Sequence, residues 1–212
     1  MRQFFLFHVV ILFLCSANAD SSNEDNILRF KNYLKNIDSI AADFTQTDSQ
    51  GVWAKGKLLI SKPYKFRCNY YFPFPLLIVG NKNYVSVYDY DMEQLSRIKT
   101  EENVFGFLLT NNVEIDKNFD FESFEEDKDI FTVTLYHSST SRRSSVRFDK
   151  IGKRIKSLEV FEDDNHITIN FDSIKQVTNF QEDLFNIRNP DSFGIPKRLE
   201  KSEIEKKYEL VK

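Results

Sequence analysis

Ser39-Ile-Ala-Ala-Asp-Phe-Thr-Gln46, Gly56-Lys-Leu-Leu-Ile-Ser-Lys-Pro63 and Lys65-Phe-Arg-Cys-Asn-Tyr70 decide the fold of this chain. On an extended backbone, side chains two residues apart share a face. Ile40, Ala42 and Phe44 fall on one face, opposite Ser39, Ala41 and Asp43. Leu58 with Ile60, and Phe66 with Cys68 and Tyr70, repeat the pattern. Polar turns separate them, at Asp48-Ser-Gln-Gly51 and Lys62-Pro63. Half-apolar strands joined by such turns predict an antiparallel sheet.

Toward the C-terminus the alternation continues through Val85/Val87, Phe131/Val133/Leu135, Val146/Phe148 and Ile167/Ile169/Phe171, with turns at Gly80-Asn-Lys-Asn83 and Glu162-Asp-Asp-Asn165. That makes about ten strands at roughly 8–12-residue spacing, which predicts a sandwich or barrel. Three segments break the period of two. Ser22 to Asp25 reads as a helix start, and Ile27, Phe30, Leu34 and Ile37 follow on one helical face. Asn103 to Thr110, with Val-Phe-Gly-Phe-Leu-Leu between them, fits a short helix set into the sheet. In Pro196 to Lys212, Leu199, Ile204, Tyr208 and Val211 predict a closing helix, the alternative being a frayed tail.

Working back to the start, Arg2 precedes an apolar run from Phe4 to Leu14 that only His8 interrupts, and Ala17-Asn-Ala19 supplies the small residues of a cleavage site. Residues 1–19 therefore read as a secretory signal, leaving residues 20–212 as a single domain that begins at Asp20. Leu14 stands before Cys15 where lipid attachment needs a small residue, so the mature chain is expected to be unlipidated. No later stretch is apolar for long enough to cross a bilayer as a helix.

The 212 residues carry a net charge of −3, with 41% hydrophobic and 29% charged residues, which excludes disordered and fibrous classes. Loss of Arg2 makes the mature chain more acidic, so a general affinity for nucleic acid is not expected. Six Gly and five Pro are few, whereas 21 Phe and nine Tyr are more large rings than a core of this size needs. After cleavage Cys68 is the lone cysteine, so no internal disulfide can form and stability rests on the core.

Catalytic signals are sparse. His137 and His166 have no His, Cys or Asp partner at ligand spacing, so no metal site is expected. Cys68 shares its face with Phe66 and Tyr70 and reads as an inert buried thiol rather than half of a Cys–His pair. Neither a Gly-x-Ser-x-Gly elbow nor a glycine-rich phosphate loop occurs. The carboxylates Glu122/Glu125/Glu126 and Asp163/Asp164 read as solvated loops. The basic stretch Arg142, Arg143, Arg147, Lys150, Lys153, Arg154 and Lys156 reads as a solvated hairpin, with an acidic protein or anionic lipid surface as the alternative partner. A curved sheet lined with rings can enclose a cavity for an apolar ligand.

The order and spacing of Ala42-Asp-Phe-Thr-Gln46, Gly56-Lys-Leu-Leu-Ile-Ser-Lys-Pro63 and Lys65-Phe-Arg-Cys-Asn-Tyr70 resemble the outer-membrane lipoprotein carrier (LolA) family. There the pattern is a small residue, Phe-x-Gln, then Gly-x-Leu-x-Ile-x-Arg-Pro, then Phe-Arg-Trp-x-Tyr. Ile78-Val-Gly-Asn81, Tyr84, Val87-Tyr-Asp89 and Gln94 match its next two strands loosely, and Leu184-Phe-Asn-Ile187 with Pro190 resembles its closing strand. The resemblance implies a mainly β (α+β) fold, an unclosed antiparallel barrel of about ten or eleven strands with a helical lid over an apolar cavity. It implies a monomeric periplasmic chaperone, not an enzyme and without cofactor, that carries lipoprotein acyl chains from an inner-membrane ABC-transporter complex to an outer-membrane receptor. On this reading Phe44, Leu58, Ile60, Phe66, Cys68, Tyr70, Val85, Val87, Val133, Leu135, Ile167, Ile169 and Phe171 line the cavity. Phe105, Phe107, Leu108, Leu109 and Thr110 form the lid. Lys62 stands where the family usually has Arg, a latch that bonds lid backbone, and Cys68 stands where it usually has Trp. The alternatives are a lipid-anchored receptor of the same fold and an exported hydrolase with an unrecognised site.

Overall fold

The structure is a computed structural model that describes residues 17–71, 73–110, 119–162 and 165–211. Eleven strands follow the chain as β1 (Ser39–Asp48), β2 (Trp53–Ser61), β3 (Lys65–Tyr70), β4 (Leu76–Gly80), β5 (Tyr84–Asp89), β6 (Gln94–Lys99), β7 (Phe119–Glu126), β8 (Ile130–His137), β9 (Arg142–Asp149), β10 (Arg154–Glu162) and β11 (Asn165–Phe180). They hydrogen-bond in the order β6-β5-β4-β3-β2-β1-β11-β10-β9-β8-β7, and a short β12 (Tyr208–Leu210) adds to β11. Neighbours pair antiparallel, so the long β11 joins two meanders through β1. Strands β6 and β7 are the free edges of the ordered path, and the barrel is unclosed.

Register keeps the apolar faces aligned. Phe44 faces Gly56 and then Tyr70, while Ile60 faces Phe66 and then Gly80. A one-residue slip would turn each of these out of the core. Bulges at Asp43/Phe44, Ile155/Ser157 and Phe121/Ser123 bend the strands. The sheet curls far enough that Phe66 on β3 and Phe121 on β7 pack against one core.

Helix α1 (Ala17–Lys35) lies over one half of the concave face. It begins ahead of the expected start at Ser22 and runs across the expected cleavage point, while residues 1–16 lie outside the described residues. Phe30 and Leu34 are buried, and the Tyr33 ring stacks on Phe148 at 4.8 Å. Arg29 fixes the helix to β7 through Glu126 at 2.6 Å, and Lys150 closes on the same carboxylate. These hydrogen bonds hold Glu126 down at a pKa of about 2.

The chain covers the convex face as well. After β11 come a 3-10 turn (Glu182–Phe185), α2 (Pro190–Phe193), α3 (Lys201–Glu205) and β12. Leu184, Phe185 and Ile204 pack on Ala41 and Leu59. Ala41, assigned by alternation to the polar side, is therefore core. The expected closing helix over 196–212 is instead one short helix with a Glu200/Glu203 capping box, followed by a strand that pairs with β11. A helix of five residues cannot place Tyr208 or Val211 on its face. Edge pairing with β11 satisfies their backbone instead.

Candidate functional site

The uncovered half of the concave face holds a cavity of about 320 Å³. Its wall is the inward set of β1–β5 and β11: Phe44, Leu58, Ile60, Phe66, Cys68, Tyr70, Ile78, Val85, Val87, Ile169 and Phe171. Leu158 and Arg142 contribute from β10 and β9, and Ile98 from β6. Two glycines shape it. At Gly56 and Gly80 an added Cβ would overlap the rings of Phe44 and Phe66, so each ring lies flat over a strand that has no side chain there. The Phe44 and Tyr70 rings meet edge-on at 5.1 Å, and the Tyr70 hydroxyl donates to Gln46 Oε1 at 2.7 Å, which satisfies its polar tip.

The segment between β6 and β7 closes one end. It forms 3-10 turns at Thr100–Glu102 and Gly106–Leu108 and presents Phe105, Leu108 and Leu109 to the cavity. Its Leu109 carbonyl accepts from the Tyr64 backbone N–H at 2.8 Å.

Some expected positions lie elsewhere. Val133 and Leu135 do not line the cavity; they are fully buried in the core that α1 covers. Ile167 is half-buried near the start of β11, opposite Val160, and Thr110 is half-buried at the end of the lid segment; neither is a wall residue. Phe107 packs on Phe30 at 5.9 Å and edge-on to Phe119 at 5.4 Å, as core rather than cavity lining. Lys62 does not reach Leu109 or Thr110. Its ammonium donates to the Leu34 carbonyl at 2.9 Å, in the last turn of α1, where a cation also meets the negative end of the helix dipole. Burial brings its pKa down to about 8. Ile78, Ile98, Val104, Leu158 and Arg142 line the cavity without having been singled out as wall residues, although Ile78 carries the right alternation with Leu76 and Gly80.

The thiol in the wall is held protonated and away from both histidines. Burial pushes the Cys68 thiol up to about 12, and neither His137 nor His166 lines the cavity beside it. His137 Nδ1 bonds Thr140 Oγ1 at 2.8 Å, and His166 stacks on Phe161. Among the described residues no group of three His, Cys, Asp or Glu could hold a metal ion. Glu122 and Glu126 are ion-paired to Arg143, Arg29 and Lys150, while Asp163 and Asp164 lie outside the described residues. Arg154 of the basic hairpin pairs with Asp149. Among the described residues, no helix is long and apolar enough to cross a membrane.

The family model for the outer membrane lipoprotein carrier protein LolA matches residues 35–188. The chain belongs to the LolA family. The matched span runs from the end of α1 through every strand of the ordered sheet and includes the cavity wall and the lid. Within the family's reach, the chain is 53% identical over 208 residues to the uncharacterized protein RP864 of Rickettsia prowazekii, covering 98% of both chains. It is 24% identical over 203 residues to an outer-membrane lipoprotein carrier protein of Methylococcus capsulatus, covering 90% of this chain and 97% of that one. With the carrier of Chromobacterium violaceum the identity is 32% over 100 residues, 44% of this chain and 48% of that one. Among solved structures, the LolA superfamily protein NE2245 of Nitrosomonas europaea aligns with a TM-score of 0.47 at 7% identity, covering 77% of this chain and 97% of that one.

Proposed function

We propose that this LolA-family protein is an exported carrier that holds lipoprotein acyl chains in the cavity between β1–β5 and the lid. One observation carries the reading: a cavity with a mainly apolar wall lies on the half of the sheet that α1 leaves bare. Each methylene transferred into such a wall is worth about 0.8 kcal/mol. A cavity of 320 Å³ is at the small end for a ligand site. Acyl chains therefore enter as Phe105, Leu108 and Leu109 move out, and these side chains compete with cargo and assist its release. Lys62, by holding the end of α1, sets how firmly the helix and the lid beside it stay closed. In this reading the chain is cleaved after Ala19, works as a monomer in the periplasm, receives cargo from an inner-membrane ABC-transporter complex and delivers it to an outer-membrane receptor. It does no covalent chemistry.

The test is transfer. Purified mature protein mixed with a detergent-solubilised or membrane-held lipoprotein is expected to yield a soluble, detergent-free complex. Folded protein that leaves the lipoprotein behind would refute the carrier role.

A further inference from the structure

On the convex face, opposite the acyl cavity, lies a cleft of about 750 Å³. Its floor is Arg67, which points away from the cavity because Phe66 and Cys68 on either side point into it. Arg67 is 4% exposed. Its Nε donates to Asn69 Oδ1 at 2.6 Å and its Nη1 to the Leu184 carbonyl at 3.0 Å. Among the described residues no carboxylate pairs with it, and Nη2 has no protein acceptor. A buried guanidinium with no carboxylate in contact is costly to keep; burial lowers its proton affinity, and Asp183 in the same cleft offsets this only in part and without touching it.

The walls of the cleft add to the positive charge. Arg188, Lys197, Lys206 and Lys207 line it with Asp183 and Glu203, giving an excess of cations in a protein whose net charge is −3. Lys207 is paired with Asp183 and Lys197 with Glu203, so these carboxylates are already engaged. Among the described residues neither Arg188, whose guanidinium lies 5.5 Å over the Phe193 ring, nor Lys206, which acts on Glu203 only at longer range, forms an ion pair. Three cations of the β9–β10 hairpin, by contrast, are paired: Arg143 with Glu122, Lys150 with Glu126 and Arg154 with Asp149. Beside the cleft, Phe193 is 67% exposed and Ile195 54% exposed. Exposed apolar side chains set among cations on one short stretch are the pattern of a segment that sits at a membrane interface. More than half of the lining lies beyond residue 188, outside the family match.

We propose that this cleft binds the phosphate of an anionic lipid headgroup, with Arg67 as its floor, Arg188 and Lys206 at its rim, and Phe193 and Ile195 entering the interface. The guanidinium fork suits a phosphate better than a point cation does. Docking through the convex face leaves the acyl cavity and its lid free. An acidic protein partner would use the same charges but would not need two exposed apolar anchors.

The experiment is co-sedimentation of the mature protein with vesicles of phosphatidylcholine alone and of phosphatidylcholine mixed with phosphatidylglycerol, at low and high salt. Wild type is expected to prefer the mixed vesicles, and the preference is expected to fade with salt. The double variant Arg188→Glu/Lys206→Glu removes two exposed cations and is expected to bind at least about thirtyfold more weakly. Phe193→Ser/Ile195→Ser is expected to weaken binding to the mixed vesicles at both salt concentrations. Lipoprotein uptake from detergent is expected to be unchanged in both variants, which separates this site from the acyl cavity. Equal binding to both vesicles, or a charge-reversal variant that binds like wild type, would overturn the proposal. So would stabilisation by inorganic phosphate without any preference for the anionic vesicles.

Discussion

Lys62 offers the sharpest quantitative test. Its ammonium is half-buried against the Leu34 carbonyl, and its pKa falls from 10.5 to about 8 because burial disfavours the charge. At 1.36 kcal/mol for each tenfold change in proton affinity, that drop corresponds to about 3 kcal/mol; solvent reaches part of the side chain, so about 2 kcal/mol is the expected size. The sign follows from proton counting. Between pH 8 and 10.5 the unfolded chain holds a proton on Lys62 that the folded chain has released, so stability rises with pH across that window. Below pH 8 the full cost of the buried charge applies. Cys68 acts in the opposite sense above pH 9, because its thiol is held up to about 12 in the fold. The measurement is therefore a difference: melting temperature of wild type minus that of Lys62→Met, from neutral pH to pH 10.5. Each kcal/mol moves the melting point of a chain this size by about 2–4 °C, so the difference should shift in favour of wild type by about 4–8 °C. A flat difference would mean that burial does not lower the proton affinity of Lys62 in the fold, and would refute the reasoning. Lys62→Arg should also lack the slope, since guanidinium stays charged throughout.

Gly80→Ala places a methyl group in the Phe66 ring, which must swing into the cavity; an overpacking cost of about 1–3 kcal/mol and weaker uptake of a fluorescent acyl probe are expected, and unchanged uptake would count against this wall as the acyl site. Phe107→Ala should destabilise by about 3–5 kcal/mol in denaturant melts, because its ring is core between Phe30 and Phe119, whereas Phe105→Ser should reduce acyl uptake at a much smaller stability cost. The reverse ranking would exchange their roles. Intact mass of the exported protein should place Asp20 at the N-terminus, and a diacylglycerol adduct on Cys15 would refute the unanchored carrier.

The period-two alternation of Ile40/Ala42/Phe44, Leu58/Ile60 and Phe66/Cys68/Tyr70 was sufficient to identify the antiparallel sheet and to say which side chains share a face. It works because a strand has two faces and a one-residue slip is costly. The order of those motifs also pointed to the LolA family. Alternation could not say what covers each face. Val133 and Leu135 carry the same pattern as Ile60 and Phe66, yet Phe30 and Tyr33 of α1 fill the space above the first pair and leave the second facing a cavity. Nor could it tell Phe105 from Phe107, or show that Lys62 reaches back to Leu34 rather than forward to Leu109, since both distinctions depend on where distant segments come to rest. The cationic cleft was equally hidden. Arg67 lies between two inward-facing residues, and apart from Leu77 the rest of the cleft lining arrives from residues 181–207, more than a hundred positions along the chain. Strand periodicity is local and survives in the sequence. Which half of the curved sheet is filled, which is left open, and which buried charge forms no ion pair are set by the packing of α1 and the C-terminal segment on its two sides.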